Sequence, residues 1–192
     1  MLPAPRAFAR SLRPGRPLVV LLSGLPGSGK STWARRYAAC VGADHVETDR
    51  LRRSIFPVRT YSPDEHAVVY RAAFAAIRRA IERGRHVVFD ATNLDEEARA
   101  PVRKLCDELD AGLAIVQFDT EHEEILRRLL RRATDPDPDD QSEAGPSVYE
   151  ALRTSLRPVC GPHWRVRDPA EAEQVLQEIV ALVRKAGACA SG

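Results

Sequence analysis

The chain has 192 residues, with 29 Lys plus Arg against 27 Asp plus Glu and a formal net charge of +2. A balance this close to neutral excludes a protein coated end to end with nucleic acid, though it leaves room for a local basic groove. No apolar run approaches the ~18 residues of a membrane helix, and the four cysteines (Cys40, Cys106, Cys160, Cys189) form no Cys-x-x-Cys or His/Cys cluster, which suits idle thiols in a reducing, cytoplasmic setting.

Met1 to Arg16 is rich in Pro and Arg and has no acid. It lacks the apolar core of a secretory signal and reads as a flexible tail. A single domain is expected over residues 17–187, with a second short tail at 188–192. Leu18-Val19-Val20-Leu21-Leu22 is a continuous apolar run, the pattern of a parallel strand buried on both faces. Directly after it comes Gly24-Leu25-Pro26-Gly27-Ser28-Gly29-Lys30-Ser31-Thr32, then a helical stretch from Trp33 to Cys40. That order of strand, Gly-x-x-x-x-Gly-Lys-Ser and helix is the phosphate-binding loop pattern. The glycines free the backbone to turn its N–H groups inward, and the helix start adds its positive dipole end. Gly24, Pro26, Gly27, Ser28, Gly29, Lys30, Ser31 and Thr32 are therefore the expected nucleotide cradle. Within it, Lys30 reaches the β- and γ-phosphates and the Ser31 hydroxyl ligates Mg²⁺.

Downstream, His45 to Asp49 reads as a short second strand and Leu51 to Phe56 as a helical turn or two, stopped by Pro57. Ser62-Pro63-Asp64-Glu65 is a helix start with Ser as N-cap and Pro in first position. Its helix carries Val68, Val69, Ala72, Ala73, Ala76, Ile77, Ala80 and Ile81 on one side and ends at Gly84. His86 to Asp90 is a third strand, Leu94 to Asp110 a helix kinked by Pro101, and Leu113 to Asp119 a fourth strand. Thr120-Glu121-His122-Glu123 matches a capping box and opens a helix through Arg132. The acidic, Pro-rich stretch from Ala133 to Pro146 reads as a lid loop. Ser147-Val148-Tyr149-Glu150 matches a further capping box for a helix to Leu156, which places the lid at about 133–157. His163 to Arg167 suits a fifth strand, and Asp168-Pro169-Ala170-Glu171 caps a final amphipathic helix. Alternation of strands and helices predicts an α/β fold: a three-layer P-loop NTPase sandwich, with a five-stranded parallel sheet, helices on both faces and a lid.

In open parallel sheets, ligands gather at the carboxyl ends of the strands, where Asp49, Asp90 and Asp119 fall. Asp49 suits a base that takes the proton of an attacking hydroxyl, or alternatively a cap for the helix at Leu51. Asp90 suits the acid that holds Mg²⁺ directly or through water, or else a loop tether. Asp119 suits helix-start chemistry. Arg127, Arg128, Arg131 and Arg132 precede the lid loop, and Arg128 and Arg132 share a helix face. Guanidinium groups so placed can neutralise a transferring phosphate. Arg52 and Arg53, just past Asp49, can hold a phosphate on the acceptor. Tyr61, Tyr70 and Trp164 are candidate stacking platforms, with core packing the preferred reading of each.

Four stretches give the chain its likeness. Gly27-Ser28-Gly29-Lys30-Ser31-Thr32-Trp33-Ala34-Arg35, Thr48-Asp49-Arg50-Leu51-Arg52-Arg53-Ser54, Asp90-Ala91-Thr92-Asn93-Leu94 and the segment from Glu124 to Thr134 together resemble the kinase domain of phage and bacterial polynucleotide 5′-hydroxyl kinases, within the small P-loop kinases that also include zeta-toxin-like enzymes. The resemblance runs from about Pro17 to Thr134 and more loosely through Ser147 to Leu156. It implies an ATP- and Mg²⁺-dependent kinase with Lys30, Asp49, Arg128 and Arg132 as catalytic groups and Ser31 and Asp90 at the metal. It also implies Arg52, or Arg53 as second choice, as the acceptor clamp, with Thr92 and Asn93 lining the acceptor site. The implied acceptor is a 5′-OH nucleic-acid end. A small metabolite, nucleoside, nucleotide sugar or charged tRNA remains open. A nucleotide-dependent switch acting on a protein partner is the competing class. A GTPase would need Asn/Thr-Lys-x-Asp to read guanine, and lysine occurs only at 30, 104 and 185, with no such motif.

Overall fold

Leu18–Ser23 forms strand β1, buried at every residue because it lies mid-sheet with a helical layer on each face. The computed structural model describes residues 15–135 and 144–188. The expected tails, apart from Gly15, Arg16 and Ala188, and the middle of the acidic lid loop lie outside the described residues. Strands β2 (Asp44–Glu47), β3 (Val87–Asp90), β4 (Gly112–Phe118) and β5 (Trp164–Val166) complete a parallel sheet in the order β2-β3-β1-β4-β5. Crossover helices are α1 (Lys30–Val41), α2 (Thr48–Ile55), α3 (Pro63–Glu82), α4 (Glu96–Glu108) and α5 (His122–Thr134). They are followed by α6 (Pro146–Leu152), a 3₁₀ turn at Arg153–Ser155, and α7 (Pro169–Ala188).

Alternate residues of β1 point to opposite faces. Leu18, Val20 and Leu22 pack with Trp33, Ala34 and Tyr37 of α1 and Leu176 and Ile179 of α7. Val19 and Leu21 pack with Ala73 and Ile77 of α3 and Val102 and Leu105 of α4. The result is the expected three-layer sandwich. A third cluster, Leu25, Leu94, Ile125, Leu129 and Tyr149, lies over the β1–α1 loop and joins it to α5 and α6.

Several helix ends behave as their sequences predict. Ser62 accepts from the Glu65 N–H at 3.2 Å, and Asp168 accepts from the Glu171 N–H at 2.8 Å. Two expected caps are corrected. Glu121, not Thr120, is the N-cap of α5 and makes no side-chain bond, because the Thr120 hydroxyl donates to the Ser28 carbonyl at 3.1 Å. Gly145, not Ser147, caps α6, which starts at Pro146 and stops at Leu152, with the 3₁₀ turn taking the place of the helix expected to Leu156. Strand β2 also ends at Glu47, and Asp49 sits in the first turn of α2 instead of on the strand. Pro101 is accommodated within α4.

Candidate active site

The β1–α1 turn builds the floor. Gly29 is the N-cap of α1 with φ at 100°, and a Cβ there would stand 3.2 Å from an Arg128 terminal nitrogen. Gly27, with φ at 79°, leaves room for Leu129 and Ile125 of α5, which a Cβ would meet at 3.0 and 3.1 Å. Only glycine takes these backbone angles without strain, and only glycine lets α5 approach so closely. The Gly24 N–H donates to the Thr92 carbonyl at 2.9 Å and so ties the loop to the end of β3.

The loop opens into a cleft of about 1190 Å³ across the carboxyl edge of the sheet. That exceeds the ~300–1,000 Å³ of a pocket for one small ligand. Pro26, Gly27, Ser28, Gly29, Lys30, Ser31 and Thr32 line its middle. One end is walled by Arg36, Val166, Pro169 and Ala172, the other by Tyr61, His66 and Tyr70. Asp49, Asp90, Arg52, Thr92, Arg128 and Arg132 also face it.

Lys30 is buried and donates to the Leu25 carbonyl at 2.8 Å. Burial lowers its pKa, and the carboxylates of Asp90 and Asp49 oppose that shift, so all three groups share one electrostatic neighbourhood. Asp90, only 3% exposed, lies 3.3 Å from His45 Nε2. Beside it in register, Glu47 is pushed up to about 7, first by burial and then by the charge on Asp90. Arg128 is held by Glu124 at 2.6 Å and donates to the Ser28 carbonyl at 3.1 Å, which sets its guanidinium above the loop. Arg132 donates to the Ala144 carbonyl at 3.3 Å. Arg127 pairs with Glu124 on the exposed side and Arg131 with Asp135 at 4.0 Å.

The expectations for five residues change here. Asn93 is fully buried: its amide donates to the Leu22 carbonyl at 2.7 Å, so it braces β1 and does not line an acceptor site. Arg53 and Gly24 do not line the cleft; Arg53 lies on the exposed side of α2, and Gly24 is packed against Phe118. Asp119 neither caps a helix nor faces the cleft; it pairs with Arg165. Arg52 does face the cleft, but its charge is matched at 2.6 Å by buried Glu65, and its guanidinium carbon lies 4.8 Å from the Tyr61 ring centre.

Sequence reasoning missed three supporting residues. Thr120 holds the loop at Ser28, where a capping-box match masked its role. Glu65 gathers Arg52, the Thr60 N–H and hydroxyl, and the Tyr61 N–H on one carboxylate. Arg99, 1% exposed, donates to the carbonyls of Asn93, Leu94, Arg157 and Pro158 at 3.2–3.4 Å. A buried arginine in a helix that otherwise looks amphipathic leaves no signal in the sequence.

The family model described as an AAA domain matches residues 19–159, from β1 to the segment before β5. The chain belongs to this family, AAA_33. Among the curated relatives of this AAA_33 protein is an uncharacterized protein of Mycobacterium tuberculosis, 34% identical over 112 residues. That alignment covers 52% of this chain and 22% of the relative, so the chain spans about a fifth of the curated relatives it matches. The structure of the Mycobacterium tuberculosis APS kinase CysC in complex with AMPPNP and APS superposes with a TM-score of 0.66 at 20% identity, over 88% of this chain and 98% of that one. The structure of the Pnkp1/Rnl/Hen1 RNA repair complex aligns with a TM-score of 0.62 at 25% identity, over 73% of this chain and 44% of that one. The fold is that of the P-loop kinases. No helix among the described residues is long and apolar enough to cross a membrane.

Proposed function

We propose that this protein is an ATP-dependent kinase that moves the γ-phosphate to an alcohol, with the 5′-OH end of a polynucleotide as the first candidate acceptor. The observation that carries the reading is the convergence in one cleft of a phosphate-binding loop, Lys30, two carboxylates and two lid arginines. Lys30, Arg128 and Arg132 hold the β- and γ-phosphates and balance charge as it moves to the β,γ-bridging oxygen. A guanidinium in that role is worth roughly 10³–10⁵ in rate. Asp49 accepts the proton of the acceptor hydroxyl. The freed oxygen bonds to the γ-phosphorus, the bond to the bridging oxygen breaks, and ADP leaves.

Ser31 and Asp90 are the residues to hold Mg²⁺. The described residues contain no group of three or more His, Cys, Asp or Glu able to cage a metal. That suits Mg²⁺, which keeps most of its waters and binds through one or two protein groups plus phosphate. Its contribution when bound is to neutralise the phosphates.

The likeness to the RNA repair complex supports a polynucleotide acceptor, and so do the motif resemblances around Asp49 and Asp90. A small alcohol is the second reading; the near-neutral charge balance suits it and contact with a few terminal nucleotides alike. Asp49→Ala is expected to lower transfer by at least about 10²-fold, the low end of general-base effects, with AMPPNP affinity kept. Loss of AMPPNP affinity with transfer intact would overturn the assignment of Asp49. Incubation with γ-labelled ATP, Mg²⁺, 5′-OH RNA and DNA oligonucleotides, nucleosides and a metabolite extract tests the acceptor; absence of label on every oligonucleotide rejects the polynucleotide.

A further inference from the structure

The end of the cleft beyond Asp49 and Thr92 is walled by three aromatic rings. Tyr70 is held rigidly. Phe74 and Phe89 present their edges at 5.8 and 6.1 Å, and its hydroxyl hydrogen-bonds Thr92. His66, one turn earlier on α3, stacks on Tyr70 with ring centres 4.3 Å apart. Tyr61 stands outside α3 and remains 53% exposed in spite of its size. Its φ of 55° is unusual for a bulky residue. That conformation is secured from below by the Tyr61 N–H donating to Glu65 at 3.1 Å, and the Arg52 guanidinium lies 4.8 Å from its ring centre. An exposed aromatic ring fixed in a strained backbone pose, beside two more rings in a cleft, is arranged for a ligand more than for the core. The local charge is already balanced, because the Glu65 carboxylate compensates Arg52. Burial and the neighbouring Arg52 lower the His66 pKa, which favours a neutral ring at physiological pH.

We propose that Tyr61, His66 and Tyr70 form a ring-stacking subsite, so that the alcohol phosphorylated here carries a planar heterocycle, as a nucleoside or the terminal nucleoside of an oligonucleotide does. The inference rests on the kinase reading and narrows its acceptor class. Stacked on this wall, the base is held beside the cleft face that carries Asp49, and an uncharged wall selects the ring instead of an added phosphate. Trp164, the other candidate platform, is buried in the core with its indole N–H on Glu178 at 3.0 Å.

The test measures binding and transfer separately. With AMPPNP and Mg²⁺ saturating, adenosine, a 5′-OH oligoadenylate and the ring-less polyol sorbitol are titrated by calorimetry into the wild type, Tyr61→Ala, His66→Ala and Tyr61→Phe. The same acceptors are assayed with γ-labelled ATP. Losing one stacking partner is expected to weaken adenosine and oligoadenylate binding and raise their KM by about 5- to 150-fold, with kcat little changed and Tyr61→Phe close to wild type. A preference for adenosine identifies a free nucleoside as the source, and a preference for oligoadenylate a chain end. Adenosine and oligoadenylate binding unaffected by either alanine, or sorbitol accepted as well as they are, overturns the proposal. So does a fall in AMPPNP affinity in the alanine variants, which would give the wall to the donor. Failure of the wild type to bind either ring-bearing acceptor also overturns it. Alanine-sensitive adenosine binding without transfer to any acceptor upholds the subsite and rejects the kinase reading instead.

Discussion

Glu65 concentrates more bonds on one carboxylate than any helix-start pattern asks for. In a capping box the third-position Glu returns to the N-cap N–H. Here it passes that group by and takes the N–H groups of Thr60 and Tyr61 at 2.7 and 3.1 Å, together with Arg52 at 2.6 Å. Burial alone would raise its pKa from 4.5, but the bonds from Arg52, Thr60 and Tyr61 outweigh burial and hold it at about 2. The carboxylate is therefore more acidic folded than unfolded. Its stabilisation is complete above about 4.5 and is lost as pH falls toward about 2. Glu65→Gln should lower the melting temperature at pH 7, and the gap to wild type should narrow steadily between pH 5 and pH 3. A gap independent of pH would show that the carboxylate's charge contributes nothing. The Tyr61 loop should also loosen in the variant, seen as faster amide exchange at Tyr61.

Arg99 works between elements. It projects from α4 into the turn after β3 and the chain leading to β5, and it joins these segments through backbone carbonyls. Arg99→Met keeps the length and removes the donors: the Asn93, Leu94 and Arg157 carbonyls keep the Ser23 hydroxyl, the Arg157 N–H and the Gln117 amide, while the Pro158 carbonyl loses its donor, at about 1–3 kcal/mol. The variant should lose roughly 1–3 kcal/mol in urea unfolding, and AMPPNP affinity should fall with it because the Asn93 turn meets the phosphate loop through Ser23 and Gly24. Unchanged stability would mean that water replaces the guanidinium. At this scale the sequence was legible where periodicity decides. The strands buried on both faces, β1, β3 and β4, appear as apolar runs, the edge strands β2 and β5 are only part-buried, and all five were placed within two residues of their ends. It was not legible where one side chain bonds backbone far away in the chain. Thr120 reaches Ser28, Arg99 reaches Pro158 and Asn93 reaches Leu22; a capping-box match hid the first, nothing local marked the second, and the family resemblance suggested another role for the third. The expected clamp at Arg52 failed to foresee Glu65 for the same reason, since an ion pair thirteen residues apart has no periodic mark.

For the whole molecule, the cleft concentrates polar groups that the fold alone would exclude. Lys30 is buried beside the sheet, where desolvation disfavours its ammonium, and three acids crowd the adjoining strand ends. A bound triphosphate would give Lys30 a partner and draw on the loop, α1 and α5 together, so nucleotide binding should read as global stabilisation. At a ligand concentration 100 times Kd the gain is about 2.7 kcal/mol. For a domain of this size that is a rise of roughly 5–10 °C in melting temperature. Lys30→Met separates function from stability. It removes a buried ammonium and keeps the aliphatic stem, so the ligand-free protein should melt at the same temperature or higher, while the shift with AMPPNP and Mg²⁺ shrinks to near zero. Asp49→Ala should keep the full shift, because its carboxylate is assigned to the acceptor and not to the donor. Differential scanning fluorimetry of the three proteins decides between these assignments. A full shift in Lys30→Met would remove Lys30 from the phosphate site, and a lost shift in Asp49→Ala would move that carboxylate from the acceptor to the nucleotide.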